Sequence, residues 1–197
     1  EAEILMQVHT QLISPRYGLS IIGCIQDAIS GNYLLTKSAM FTRNEAVDLL
    51  ASIRITNFDN LPKKDTVSGK EVFSCLLPKD FDYKGQDKSE GDVLIKKGKL
   101  ITGTMDKANL GEGSGLLLRN LHKKYGPKVT VGILGKMFRL GIEVLLKLGF
   151  STAISDVDLP AEANISINKI MEDAKKQVSN LINDFQDDKL EAFPGRT

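Results

Sequence analysis

The chain of 197 residues reads as an α+β protein, mostly helical, with a small β-hairpin or sheet and a long helix near its end. Three observations carry that reading. Between Ser166 and Phe185 the apolar residues Ile167, Met171, Ala174, Val178, Leu181 and Phe185 recur at alternating steps of four and three, a heptad seam. Thr42-Arg43-Asn44-Glu45 is a capping box, in which hydroxyl and carboxylate each satisfy an amide at a helix start. VLIKKGKLITG, within Asp92 to Thr104, reads as a hairpin turning near Lys97-Gly98.

Taken in order, Ala2 to His9 is a short helical pattern that ends before Pro15. Ile21 to Leu35 begins as either a buried strand or a helix and reads as helix from Gln26. The capping box predicts a helix from Arg43 to about Ile53, with Ala46, Leu49, Leu50 and Ile53 on one face. Asn57 to Thr66 is a polar loop, and Ser68 to Leu77 a short helix stopped by Pro78. Lys79 to Gly91 is expected to be a charged, mobile loop ahead of the hairpin. Gly115 to Tyr125 forms a helix closed by Gly126-Pro127. Lys128 to Leu148 forms a longer helix, apolar nearly all round and so expected to be buried on most sides. The heptad helix, about 30 Å long for roughly 20 residues, needs a partner helix, and no second heptad segment follows.

Composition excludes several classes. Twenty-six basic and 25 acidic residues leave a net charge of +1, so there is no global nucleic-acid footprint. The stretch from Lys63 to Lys128 is nevertheless lysine-rich, and the region after Phe150 has an acidic excess. Cys24 and Cys75 lie far apart, outside any zinc spacing, and read as small buried hydrophobes of a reducing, cytoplasmic compartment. No signal peptide or bilayer-length apolar stretch is present. Both ends look cut, since Glu1 starts inside a helical pattern and the chain stops at Pro-Gly-Arg-Thr.

Few residues offer chemistry. Gly111-Glu112-Gly113-Ser114-Gly115 is expected between a strand and a helix, where its amides would cradle an anion or Ser114 would cap the helix. It lacks the spacing of a dinucleotide loop and the Gly-Lys-Ser/Thr of a P-loop. His9 and His122 are isolated from any nucleophile, and the acids from Asp80 to Asp92 match no calcium loop. Asp156 and Asp158 read as a polar turn before a helix. Asp106-Lys107, just after the hairpin, places a lysine either toward a phosphate backbone or in an exposed ion pair. Residue patterns alone leave two further readings open, a module whose terminal helix docks a partner helix and a small nucleotide-binding protein using Gly111–Gly115.

Several motifs, in order, resemble the largest subunit of multi-subunit DNA-directed RNA polymerases, most of all the archaeal A-prime type. They are QLISPRYGLSIIGCIQDAISGNYLLT (Gln11 to Thr36), SGKEVFSCLLP (Ser68 to Pro78), GKLITGTMDKANLGEGSG (Gly98 to Gly115), the Tyr125-Gly126-Pro127 turn, LGFSTAISDVDLP (Leu148 to Pro160) and EAFPGRT (Glu191 to Thr197). The resemblance implies that residues 1–12 are the tail of the active-site domain, 13–157 the pore domain and 158–197 the first arm of the funnel's helical hairpin. Together these wall the secondary channel, where nucleoside triphosphates come in, backtracked RNA is extruded and a transcript-cleavage factor inserts. It implies as partners the other polymerase subunits, with DNA, RNA and nucleoside triphosphates in the complete enzyme, and no membrane. The family's catalytic loop, NADFDGD, holds magnesium for nucleotidyl transfer. It is absent here, Asn57-Phe58-Asp59-Asn60 being no match, so this fragment carries no catalytic residue or cofactor of its own and is expected to be inactive alone, with magnesium in the complete enzyme. The family's channel lysine falls at Lys107, with Asp106 beside it; a second basic residue common in relatives is Ala108 here.

Overall fold

The computed structural model describes residues 1–86, 91–187 and 189. The chain divides into two compact units, Glu1–Phe150 and Ser151–Thr197.

The first unit is mostly helical. Its opening segment is a single helical turn, α1 (Ala2–Leu5), and then a 3-10 turn at Val8–Thr10, not one helix. Neither turn buries a residue, so packing does not offset the cost of nucleating a longer helix. The chain then reverses between Ile13 and Ser20, which pair across the turn; Ser14 N donates to Leu19 O at 2.8 Å. The ambiguous stretch resolves as extended chain through Cys24, followed by α2 (Asp27–Lys37).

β1 (Met40–Thr42) leads into α3 (Arg43–Ser52), whose capping box forms as expected: Thr42 N donates to Glu45 Oε2 at 2.8 Å, and Glu45 N to Thr42 Oγ1. Ala46, Leu49, Leu50 and Ile53 are all buried. β2 (Thr66–Ser68) pairs antiparallel with β1 and feeds α4 (Gly69–Ser74) through a second box, Ser68 with Glu71. That box, Ser-x-x-Glu, is complete within four residues of sequence, like the first.

The expected loop from Lys79 to Gly91 is partly a strand. β3 (Tyr83–Gln86) pairs antiparallel with β4 (Asp92–Lys96), which turns at Lys97-Gly98 into β5 (Lys99–Thr102). The hairpin is therefore the larger part of a three-stranded sheet. Polar Lys84 and Gln86 mask β3 in the sequence, but Tyr83 points inward and is buried beside Ile95, its partner in register. The rest of that loop, 87–90, lies outside the described residues.

A short helix, α5 (Lys107–Leu110), comes between the sheet and the glycine loop, where direct passage from strand to loop was expected. α6 (Leu116–Leu148) is broken at Gly126, whose φ of 78° and ψ of 174° are non-helical, so Pro127 begins its second half as the sequence implies. That half is buried along one stripe only: Thr130, Ile133, Leu134, Met137, Leu140, Gly141 and Val144. Phe138, Ile142 and Leu145 are half-buried, and Leu146 and Leu148 are exposed. Apolar residues all round the helix did not mean burial on most sides.

α2 lies against α6 where Gly31 meets Gly141. A Cβ on Gly31 would collide with the Gly141 carbonyl, and one on Gly141 with the Ala28 carbonyl. This near-contact of backbones lets the Asn32 amide span both helices, donating to Ala28 O at 2.7 Å and Met137 O at 2.8 Å. One turn on, Thr36 Oγ1 donates to Asn32 O and accepts from Met105 N at 2.9 Å, tying the end of the sheet to α2.

The second unit holds a 3-10 turn, Ile154–Val157, and α7 (Ala161–Gln186). Asp156 Oδ2 accepts from Ala153 N at 2.7 Å, so the acid serves as a turn cap, as the polar-turn reading implies. α7 starts earlier than the heptad pattern suggests, directly after Pro160, because Ala161, Glu162 and Ala163 favour a first turn. It buries no residue; Ile167, Met171, Val178, Leu181 and Phe185 of the seam are exposed. The EAFPGRT motif at Glu191–Thr197 lies outside the described residues. Among the described residues no helix is long and apolar enough to cross a membrane.

Candidate functional site

Lys107 sits at the first position of α5, and the way its backbone is held decides where its ammonium can reach. Asp106 is the N-cap: its Oδ1 accepts from Asn109 N at 3.2 Å and Asn109 Nδ2 at 2.8 Å. Asn109 is fully buried, and its Oδ1 accepts from the Tyr83 hydroxyl at 2.7 Å. Burial, and then the Asp106 charge, pushes the Tyr83 phenol up to about 12, so it stays a hydrogen-bond donor throughout the working range of a protein. Asp106 is thus committed to the fold, while the Lys107 side chain is exposed.

The glycine loop completes the clamp. Lys107 O accepts from Gly111 N at 2.8 Å and from Ser114 Oγ at 2.9 Å. Ser114 therefore holds the loop and does not cap α6, whose N-cap is Gly115 without a side-chain bond. Gly113 N donates to Ser20 O at 2.8 Å, and Ser114 N to Glu112 O at 2.9 Å. Three amides of Gly111–Gly115 are consequently engaged, Gly111 on α5, Gly113 on the distant turn and Ser114 within the loop, which removes most of the cradle an anion would need.

These bonds bring together two segments about 90 positions apart in sequence. Cys24 pairs with Gly111, and Cys24 N donates to Leu110 O at 2.8 Å. Gly23 lies so close to the loop that a Cβ there would come within 2.5 Å of Glu112 N and Gly111 C. The Ser14–Ser20 turn therefore packs onto the loop, and two grooves flank it. One, of about 400 Å³, is lined by Ser14, Tyr17, Ser20, Lys107, Glu112 and Gly113, among others. The other, also about 400 Å³, is lined by Ile13, Gly18, Leu116, Arg119, Asn120, His122 and Lys123.

The two grooves differ in charge: the first sets Lys107 against Glu112, and the second carries Arg119 and Lys123 with no acid on its lining. Lys107, Arg119 and Lys123 make no ion pair among the described residues. Arg16 lies over the Tyr17 ring at 4.8 Å, and that ring is 63% exposed on the turn between the grooves. One carboxylate, Glu112, stands at the rim of the first groove. The Ser20 hydroxyl, which also lines it, is buried with no hydrogen-bond partner among the described residues. The exposed ring shares the first groove with Lys107 and Glu112, while Arg119 and Lys123 line the second; a cation beside an exposed ring is a pairing that suits a nucleotide. Tyr17, Arg119 and Lys123 escaped the sequence reading, since only the fold places them near Lys107.

The remaining candidates stay apart. Among the described residues no three side chains of His, Cys, Asp or Glu gather in a group able to hold a metal. The described residues offer no side-chain group that fits a magnesium ion. Cys24 is buried, and burial pushes its thiol up to about 12.

Residues 11–157 match the family model described as RNA polymerase Rpb1, domain 3. The chain is similar to the DNA-directed RNA polymerase subunit Rpo1N of Thermococcus celer, at 36% identity over 100% of this chain and 26% of that protein. To the Rpo1N of Methanocaldococcus jannaschii it is 38% identical, over 99% of this chain and 16% of that protein. To that of Sulfolobus acidocaldarius it is 33% identical, over 100% of this chain and 25% of that protein. The chain spans about a quarter or less of the length of these relatives.

Proposed function

This chain belongs to the RNA polymerase largest-subunit family, at its third domain, and we propose that it serves as a non-catalytic wall of the channel that leads to a polymerase active site. On this reading residues 1–12 close the active-site domain, 13–157 form the pore domain and 158–197 the first arm of a funnel hairpin. Nucleotidyl transfer, with its magnesium, belongs to other parts of the complete enzyme, and the chain by itself is inactive. Its partners are the other polymerase subunits, and through them DNA, RNA and nucleoside triphosphates, with a cleavage factor at the funnel.

The observation that carries the reading is the exposed Lys107, in no ion pair among the described residues, beside the Ser14–Ser20 turn, with Arg119 and Lys123 in the groove on the other side. Lys107 is the residue assigned to phosphate contact, and Asp106 positions it through the α5 cap. Arg119 and Lys123 extend the same field past the turn, where it raises the local concentration of anionic nucleotide or extruded RNA. The rival nucleotide-binding reading of Gly111–Gly115 is disfavoured by the engagement of the loop's amides. The exposed seam of α7 is read as the face that meets a second helix of the complete subunit.

The test is Lys107→Ala in the assembled enzyme. Loss of one charge-assisted phosphate contact, about 1.5 kcal/mol or less at an exposed site, should raise the nucleotide concentration for half-maximal elongation several-fold. It should also shorten the lifetime of backtracked complexes. Unchanged elongation, backtracking and transcript cleavage would overturn the assignment.

A further inference from the structure

The three-stranded sheet has two unlike faces. Tyr83, Val93, Ile95 and Leu100 point inward and are buried. The register sets Lys84 opposite Leu94 and Lys96 opposite Lys99, so the outer face carries lysines from all three strands around one half-buried leucine. Lys97 adds a fourth ammonium at the turn. These residues, with Asp82, line a groove of about 670 Å³ on the opposite side of the sheet from the core.

None of the four lysines makes an ion pair among the described residues. The single acid on the lining, Asp82, accepts from Lys97 N at 2.7 Å and is engaged in holding the turn. Like charges directly opposite on a sheet destabilise it, so the Lys96–Lys99 pair works against the isolated fold. Lysine on an edge strand also guards against unwanted strand pairing. That accounts for Lys84 and Lys99 on the outer strands, but not for Lys96 on the central strand β4.

We infer that this lysine-rimmed face docks an acidic segment of a partner protein, with carboxylates on Lys84, Lys96, Lys97 and Lys99 and one apolar side chain seated on Leu94. Charge complementarity selects the acidic partner. The apolar floor selects a peptide over a nucleic acid, because the face lacks an exposed ring on which a base could stack: Tyr83 is buried and its hydroxyl is bound to Asn109. The ammoniums are spread over a turn and three strands and do not converge on one point, which suits an extended or helical segment more than a single phosphate. The surface is separate from the two grooves about the Ser14–Ser20 turn and shares no lining residue with them.

The experiment uses the full chain and a fluorescein-labelled peptide of repeating Glu-Glu-Leu, read by anisotropy, beside the same peptide with Ser for Leu and a labelled oligouridylate. Wild type should bind the Glu-Glu-Leu peptide saturably, more weakly as salt rises, and should prefer it over the Ser version by about threefold or more, the order expected for one buried leucine. Lys96→Glu should weaken peptide binding at least about fivefold, while the urea midpoint stays level or rises because a repulsive cross-strand pair becomes attractive. Lys84→Glu should weaken binding without touching that pair. No saturable binding by wild type, binding indifferent to both reversals, or tighter lysine-dependent binding of oligouridylate than of peptide would each overturn the inference. Loss of binding together with a lowered urea midpoint in both variants would overturn it as well, since the lysines would then be supporting the fold.

Discussion

Alanine at Gly141 and alanine at Gly132 should move stability in opposite directions, although both sit on α6. At Gly132 a Cβ meets nothing within 4 Å. The substitution there gains helix propensity and removes backbone freedom from the unfolded chain, about 0.5–1 kcal/mol of stabilisation. At Gly141 the same Cβ would lie 2.8 Å from Ala28 Cα and from Asn32 Nδ2, and closer still to the Ala28 carbonyl. Relief requires α2 and α6 to part, an overpacking cost of about 1–3 kcal/mol. It also stretches the Asn32 bond to Met137 O, and a buried amide left unpaired costs about 1–3 kcal/mol. Set against about 1 kcal/mol of propensity, the net is a loss of about 1–5 kcal/mol, centred near 3. With a urea slope near 2 kcal/mol per molar for a domain of this size, the midpoint should fall by about 0.5 M or more. Urea unfolding followed by circular dichroism measures both variants. If Gly141→Ala unfolds at or above the wild-type midpoint while Gly132→Ala also rises, α2 and α6 are not in backbone contact and the packing argument is wrong.

Two further outcomes follow from ionisable groups. The Thr42 amide, then the Thr42 hydroxyl and Lys147, hold the Glu45 carboxyl down from 4.5 to about 2. Its folded pKa lies below its unfolded one, so its stabilisation is complete above pH 4.5 and is lost as pH falls toward 2. Glu45→Gln should therefore flatten the decline of the urea midpoint between pH 4.5 and pH 2, and an unchanged slope would contradict the cap. Burial pushes the Cys24 thiol up to about 12; burial, then the Glu71 charge, raises Cys75 to about 11. With so little thiolate, both should react slowly with a disulfide reagent at pH 8. Half-buried Cys75 should react first, and Cys24 only as fast as the chain unfolds; labelling of Cys24 at the rate of a free thiol would refute its burial.

Local signals were legible and long-range ones were not. Thr42 and Glu45 announced α3 because a capping box is complete within four residues, and Lys97-Gly98 announced the β4–β5 turn for the same reason. β3 stayed hidden because Lys84, Gly85 and Gln86 have no strand character of their own; only pairing with Asp92–Lys96 makes them a strand. In α6 the sequence shows which residues are apolar but not which neighbour covers them, so Leu148 reads as core and is exposed. The residue pattern marked Lys107 as facing either a phosphate backbone or an ion-pair partner, and the resemblance alone gave it the channel reading. Arg119, Lys123 and Tyr17 were not legible at all, since nothing local states that the Ser14–Ser20 turn packs on the Gly111–Gly115 loop.

That packing also decides what the glycines are for. A glycine-rich loop before a helix is ambiguous: open amides would make it a cradle, engaged amides an anchor. Here Gly111 N, Gly113 N and Ser114 N are all engaged, one of them on Ser20 of the distant turn. Gly23 has no side chain at the point where the two segments meet, Ser20 occupies the place a side chain on Gly115 would take, and a side chain on Gly111 would strike Lys107 instead. The glycines permit the approach of two backbones, and the approach sets Lys107 on one side of the turn and Arg119 and Lys123 on the other. Recognition, on this account, is left to side chains at the rim, while the loop beneath supplies position.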